Sequence, residues 1–290
     1  MTADRAQRPV VAGIDGSGSS YRAARFAAEA ARRRGAPLHL LHASLDVPDL
    51  LRTHANTTVR QVAEALTEAD RDVGVQWSIE QGDPVDVLRA ISAEAQLLVM
   101  GGRGTRRLDG PRVGSTANGV AASARCPVVV VPDNTTSVVV RGRRSVVVGV
   151  EAHRHADEVL GFALQEASFR GTDLVAVHAW RDIPPAEYES DGPVIDWAAV
   201  RNGEERVLSR ALAGRQEEWP DVVVRQVIAR HKTTQILLAA ALTAELLVIG
   251  HRRRGPLATL RSTTHAVLHR ATGPVAVVPI QPPANRGEWS

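Results

Sequence analysis

Cysteine is almost absent: Cys126 is the only one in 290 residues, so no intrachain disulfide can form. That suits a reducing compartment, and a cytoplasmic location is the expectation. Cys126 precedes a buried-type strand, which assigns it to core packing. Lysine is as scarce, with Lys232 alone among 35 basic residues. It lies in RHKTTQ with no glycine loop before it, which excludes a Walker P-loop. Aromatic residues are 3% of the chain and the arginines are spread along it. Base stacking has little to work with, no zinc-finger or basic-zipper spacing is present, and nucleic acid is not an expected partner. No apolar run reaches the roughly 18 residues of a membrane helix. The first residues, MTADRAQRPV, lack an apolar signal core, so neither membrane nor secretion is expected. His153 and His155 are spaced to chelate, but no further ligands complete a metal site in the pattern, and none is expected.

What is present is a globular balance of 44% hydrophobic and 23% charged residues, with a net charge of +3. The halves repeat each other. VVAGID (10–15) matches VVVGVE (146–151), and LHLLHA (38–43) matches LVAVHA (174–179). LLVMG (97–101) matches LLVIG (246–250), and CPVVVVP (126–132) matches GPVAVVP (273–279). Units of this length are domains rather than solenoid modules. The expected organisation is a domain over 1–134, a linker over 135–143, a second domain over 144–280 and a tail over 281–290.

Each copy reads as alternating strands and helices. In the first, Val10–Asp15, Leu38–Ala43, Val75–Glu80, Leu97–Met100 and Val128–Val131 are strand-like, the third nearer an edge. Helices are expected over Tyr21–Arg34, closed by Gly35, over Val59–Val73 with Val62, Ala65, Leu66 and Ala69 on its inner face, from Pro84 to about Ala93, and from Gly114. The second copy follows suit, with a middle helix over about Trp197–Glu218. Val138–Val140 in the linker is a candidate extra strand. Short β-branched runs alternating with helices imply α/β domains with doubly wound parallel sheets. His42 and His178 fall at matching strand ends, where packing is the expected role. The Ser17–Ser20 run is assigned to capping the first helix.

The segment 97–132 carries the chemistry. A buried strand runs into glycine-rich Gly101-x2-Gly104-x9-Gly114-Ser115-Thr116, which opens a short small-residue helix. Glycines let backbone N–H groups approach an anion, and the free N–H groups of a first helical turn point at it. In open α/β sheets, ligands bind where the winding reverses, at strand carboxyl ends. If the first and fourth strands are neighbours there, Asp15 faces the Gly101 loop, and its carboxylate can accept hydrogen bonds from ribose hydroxyls.

The motif, with G-I-D-G-S (13–17), L-L-H-A (40–43) and C-P-V-V-V-V (126–131), resembles the universal stress protein family over nearly the whole chain. The resemblance implies two tandem five-stranded domains of strand order 3-2-1-4-5, with ATP bound in some members and magnesium as a companion ion. It also implies pairing through the last strands, within the chain as a pseudo-dimer or between chains as a homodimer. Carried over, Asp15 binds the ribose, Gly13 belongs to the same cofactor-binding set, and Ala43, where members often carry valine, lines the adenine. Gly101, Gly104, Gly114, Ser115 and Thr116 cradle the phosphates, with Arg103 adding charge.

The second copy departs from the pattern. Glu151 replaces Asp15, Arg253 replaces Gly104 and Arg261 replaces Gly114, while Ser262 and Thr263 remain. Pairing of Glu151 with Arg253 or Arg261 would close an empty site. The loop of the first copy has one acidic residue, Asp109, and no Walker-B-like strand end follows, so binding rather than phosphoryl transfer is expected, with at most slow hydrolysis. The leading reading is an ATP-binding regulator of a stress response acting on a protein partner. An adenine-nucleotide hydrolase or transferase, and an adaptor that works without nucleotide, stay open.

Overall fold

The computed structural model describes residues 8–45, 49–104, 113–133, 145–151, 157–180, 196–252, 260 and 262–280. Val138–Val140, His153, His155, Asp109, Arg253 and Arg261 lie outside these residues. Two compact units divide the chain. One contains Met1–Asp133 with Gly250–Arg261 and Val277–Ser290, the other Asn134–Ile249 with Ser262–Ala276.

The first copy runs β1 (Val10–Gly13), α1 (Gly18–Arg34), β2 (Leu38–Ser44), α2 (Asp49–Ala69), β3 (Val75–Gln81), α3 (Pro84–Ile91), β4 (Leu97–Gly101), α4 (Ser115–Ser123) and β5 (Val128–Val131). Its strands lie in the order β3-β2-β1-β4-β5. All four pairings are parallel; Val10 faces Leu38 of β2 on one side and Leu97 of β4 on the other. The winding therefore reverses between β1 and β4. Right-handed crossovers then put α1 and α2 on one face and α3 and α4 on the other. Side chains of β1, β4 and β5 are buried almost throughout, whereas those of β3, at the edge, are half-buried or exposed.

Local chemistry explains where α1 starts and stops. The Ser17 hydroxyl accepts from the Ser20 N–H at 3.1 Å, supplying the N-cap. Gly35 ends the helix at φ 59°, a left-handed conformation that favours glycine, with its N–H on the Arg32 carbonyl. Between them Ala23, Ala24, Ala27, Ala30 and Ala31 form a buried stripe; small side chains let the helix lie close to β1 and β4.

Helix α2 corrects the sequence reading. It begins at Asp49, well before the expected Val59, and its inner face is Ala55, Val59, Ala63 and Leu66. Ala65 and Ala69, expected inside, are exposed. Thr57 returns its hydroxyl to the Thr53 carbonyl at 3.0 Å, and burial of Ala55 and Val59 carries the helix through a stretch of weak propensity.

The second copy runs β6 (Ser145–Gly149), α5 (Asp157–Arg170), β7 (Leu174–Trp180), α6 (Trp197–Gln216), β8 (Val224–Arg230), α7 (Thr233–Ala241), β9 (Ala244–Arg252), α8 (Ser262–Arg270) and β10 (Val275–Ile280). Its strands lie in the order β8-β7-β6-β9-β10, with a register shift between Ser145 and Val146 where β6 meets β9. Gly171 closes α5 at φ 59°, as Gly35 closes α1. A buried ion pair marks this copy. Arg170 and Glu166, one helical turn apart and 2% and 1% exposed, bond to each other, and Glu245 stands 3.7 Å from Arg170 Nε. Among the described residues no helix is long and apolar enough to cross a membrane.

Two outcomes follow from these cores. Arg170→Met leaves the Glu166 carboxylate buried beside an apolar side chain and should lower stability by about 3–5 kcal/mol. Urea unfolding checks this, and Glu166→Leu added to Arg170→Met should recover much of the loss. Burial pushes the Cys126 thiol up to about 12, so its thiolate is scarce at any working pH. Thiol titration at pH 8 should find Cys126 silent in the folded chain and reactive once guanidinium unfolds it.

Candidate functional site

The crevice between the carboxyl ends of β1 and β4 is built from two loops that touch. Beyond β1 the chain turns through Asp15, Gly16 at φ 84° and Ser17 into α1. Asp15 is exposed. Its Oδ1 accepts from the Ser17 N–H at 2.9 Å, a local turn that aims the other oxygen across the crevice. A Cβ built at Gly104 would lie 2.9 Å from Asp15 Oδ2. Asp15, expected to face the Gly101 loop, thus lies against it at Gly104, with no room for a side chain there unless the carboxylate moves.

The second loop leaves β4 at Gly101. A Cβ there would fall 2.3 Å from Ser19 Oγ and 2.8 Å from the Ser19 carbonyl carbon. No side chain fits without moving α1. Ser17 Oγ donates to the Arg103 carbonyl, and the Arg103 N–H donates to Ser19 Oγ, both at 3.4 Å. The Gly102 N–H is satisfied by the Val131 carbonyl at 2.8 Å, and the Gly114 N–H returns to the Gly102 carbonyl at 2.7 Å. Gly102 thus holds both ends of the loop, whose residues 105–112 lie outside the described residues.

Gly114 is the N-cap of α4 and brings no side-chain hydrogen bond to the helix. The first intrahelical N–H is that of Asn118, bonded to the Gly114 carbonyl at 3.1 Å. The N–H groups of Ser115, Thr116 and Ala117 have no intrahelical acceptor, and no acidic residue sits in this first turn. Helix α3 differs: Asp83 accepts from Val85 and Asp86, and Asp86 adds charge. Of these two helices, α4 is the one whose N-terminus has chemistry suited to an outside anion. Ser115 is exposed and Thr116 half-buried on it.

The remaining site residues take quieter places. Gly13 ends β1 with Leu88 and Met100 near it, at 3.7 and 3.8 Å from a built Cβ, which is ordinary contact. Gly149 holds the matching place more tightly, with Leu237 at 3.1 and 3.2 Å and Ile249 at 3.6 Å from a built Cβ. Ala43 is half-buried on β2, in register with Glu80 of β3. Arg103 directs its Nε to Asp133 Oδ2 at 3.7 Å. Asp133 also takes Arg22 Nη2 at 3.0 Å. Neither Arg22 nor Asp133 stands out along the sequence, because they belong to no local motif and lie far apart in the chain.

The matched histidines hold the frame. His42 Nδ1 lies 2.7 Å from the Ile14 carbonyl, and His178 Nδ1 lies 2.9 Å from the Val150 carbonyl. Each links the end of its copy's second strand to the residue just past the first. A carbonyl oxygen only accepts, so the ring Nδ1–H is the donor in this bond. In the second copy His178 also meets Glu204 Oε2 through Nε2 at 2.8 Å. Glu151 is exposed, and the arginines expected to pair with it lie outside the described residues. Among the described residues no group of three or more His, Cys, Asp or Glu is placed to hold a metal ion.

A model of the universal stress protein family matches this chain twice, over residues 7–132 and 142–279. The chain belongs to that family. A universal stress protein of Mycobacterium tuberculosis strain H37Rv is 32% identical over 295 aligned residues, covering 96% of this chain and 99% of the relative. A second from the same strain is also 32% identical, with 96% and 98% covered. Among solved structures, a universal stress protein from Archaeoglobus fulgidus shares the fold with TM-score 0.70 at 18% identity, covering 97% and 98% of the two chains. A universal stress protein from Pseudomonas aeruginosa UCBPP-PA14 gives 0.65 at 18% identity, with 96% and 95% covered. This chain is thus a tandem universal stress protein with an α/β fold.

The Gly101 contact is directly testable. Gly101→Ala should lower stability by about 1–3 kcal/mol, read from the urea midpoint of the full chain. Ser19→Gly should restore only part of it, because the Ser19 backbone carbon also lies in the way. An unchanged midpoint for the single variant would mean the two loops are not held together here.

Proposed function

We propose that the first copy of this universal stress protein binds ATP, with magnesium accompanying the triphosphate, and that binding regulates a stress response without catalysis. The observation that carries this reading is the open N-terminus of α4, tied to the glycine loop by the Gly114 N–H on the Gly102 carbonyl, with Asp15 beside Gly104 of the same loop. Backbone N–H groups there can take phosphate oxygens, and Asp15 Oδ2 is left to accept from ribose hydroxyls. Ala43 lies at the same strand ends as Asp15, on the side an adenine would occupy. Gly13 shapes the strand end, and Ser115, Thr116 and Arg103 complete the cradle.

The working site falls in the domain over 1–134. In the domain over 144–280, past the linker at 135–143 and before the tail at 281–290, Arg253 and Arg261 replace the two glycines, and this copy is the degenerate one. Regulation then acts through a protein partner in the cytoplasm, with self-association through the valine-rich last strands. Light scattering of the purified chain reads that association.

Titration calorimetry on the full chain tests the site. ATP should bind at one site per chain. Gly114→Arg, which copies the residue of the second copy into the first, should weaken ATP about tenfold or more by filling the phosphate position and opposing the helix dipole. Thermal unfolding of the variant should stay near that of the parent. Retention of ATP affinity in a folded Gly114→Arg protein would sink the cradle, and absence of ATP binding in the parent would sink the reading as a whole.

A further inference from the structure

The two arginines that meet Asp133 come from opposite sides of the crevice. Arg22 lies just over one turn into α1 and folds back toward that helix's start, its Nη1 3.7 Å from a Cβ built on Gly18. Arg103 belongs to the glycine loop itself. Asp133 follows β5, the last described residue before the expected linker. It accepts Arg22 Nη2 on Oδ1 at 3.0 Å and stands 3.7 Å from Arg103 Nε through Oδ2. One carboxylate therefore spans two guanidinium groups, as a bridging anion would.

The pairing is of a kind that exchanges. The three side chains are 41%, 40% and 29% exposed, and ion pairs this open to water are weak. Arg22 also has donor capacity in hand. Its Nε is buried and has no hydrogen-bond partner among the described residues. A planar guanidinium with an unused donor is suited to phosphate oxygens, which can take two parallel hydrogen bonds.

The second copy points the same way. At the position matching Arg22 it carries Glu158, and at the position matching Asp133 it carries Ile280. Arg22 and its carboxylate are absent together from the copy that carries Arg253 and Arg261 at the glycine positions, while Arg252 keeps the place of Arg103.

We infer that Arg22 and Arg103 form a two-arginine clamp for the outer phosphates of the bound ligand, and that Asp133 is the internal anion that occupies the clamp when no ligand does. The inference rests on the reading of the first copy as a nucleotide site. Arrival of a polyphosphate transfers the arginines from Asp133 to the ligand. The released carboxylate sits where the chain leaves the first domain, so occupancy is passed to the start of the linker. The clamp discriminates by charge, favouring triphosphate over adenosine.

The test measures ATP, adenosine and inorganic tripolyphosphate binding by calorimetry to the full chain and to Asp133→Asn, Arg22→Gln and the double variant. Asp133→Ala serves as a second form, and unfolding midpoints establish that each protein folds. Removing the competing carboxylate should tighten ATP and tripolyphosphate by about two- to fivefold, and Arg22→Gln should weaken both by a similar factor. The double variant should lose the gain, and adenosine should be indifferent to all of them. Unchanged or weaker phosphate binding in both Asp133 variants, with ATP still bound by the parent, overturns the clamp and leaves the nucleotide site standing. A tripolyphosphate response without any adenosine affinity supports the clamp and overturns the adenine reading. No binding of either polyphosphate by any variant overturns both.

Discussion

Nothing larger than hydrogen can stand at Gly101, because Ser19 of α1 already fills the space its Cβ would need. The rest of the site depends on that contact. It locks the end of β4 against the first turn of α1, and so fixes the Asp15 turn relative to the glycine loop. The two weak hydrogen bonds between Ser17, Ser19 and Arg103 then act across a gap that packing has already closed. Gly104 comes beside Asp15 Oδ2 for the same reason. A cradle for an anion needs donors held still before the anion arrives, and close packing of backbone on backbone is the stiffest way to hold them.

The copies share this frame and differ in what it carries. Both end their first helix at a left-handed glycine, Gly35 or Gly171. Both tie the second strand to the first through a histidine on a backbone carbonyl. These contacts make the doubly wound sheet and are indifferent to ligand. The difference lies in charge. Glu151 and Arg252 keep the charges of Asp15 and Arg103, but Glu158 and Ile280 stand where the first copy has Arg22 and Asp133. In the second, His178 is tied to Glu204, and Trp197 lies under Arg230 at 3.4 Å. A shared frame can carry different side chains at its strand ends, because the contacts that hold the frame do not involve them.

Much of this is legible along the chain. The valine and leucine runs of β1, β4 and β5 are strands buried on both faces, and their composition says so without help from the fold. Ser17 and Gly35 announce the ends of α1 by their own hydrogen-bonding and backbone preferences. The glycine spacing from Gly101 to Gly114, with Asp15 upstream, marks the crevice by backbone chemistry alone. The start of α2 is not legible, because Thr53 to Thr58 carries weak helix preference and only burial of Ala55 and Val59 against the sheet settles it. The same burial turns the helix, leaving Ala65 and Ala69 in solvent.

What the sequence determined by itself was the repeat, the parallel α/β sheet and the glycine-rich loop with Asp15 upstream of it, since these follow from local periodicity and backbone chemistry. The tertiary structure alone decided which of them meet. Gly101 is obligatory because of Ser19, a residue on another element, and Asp133 bridges Arg22 and Arg103 only because strand ends converge at the crevice. Contacts between residues distant in the chain carry no local signature, so their partners become known only when the sheet is wound.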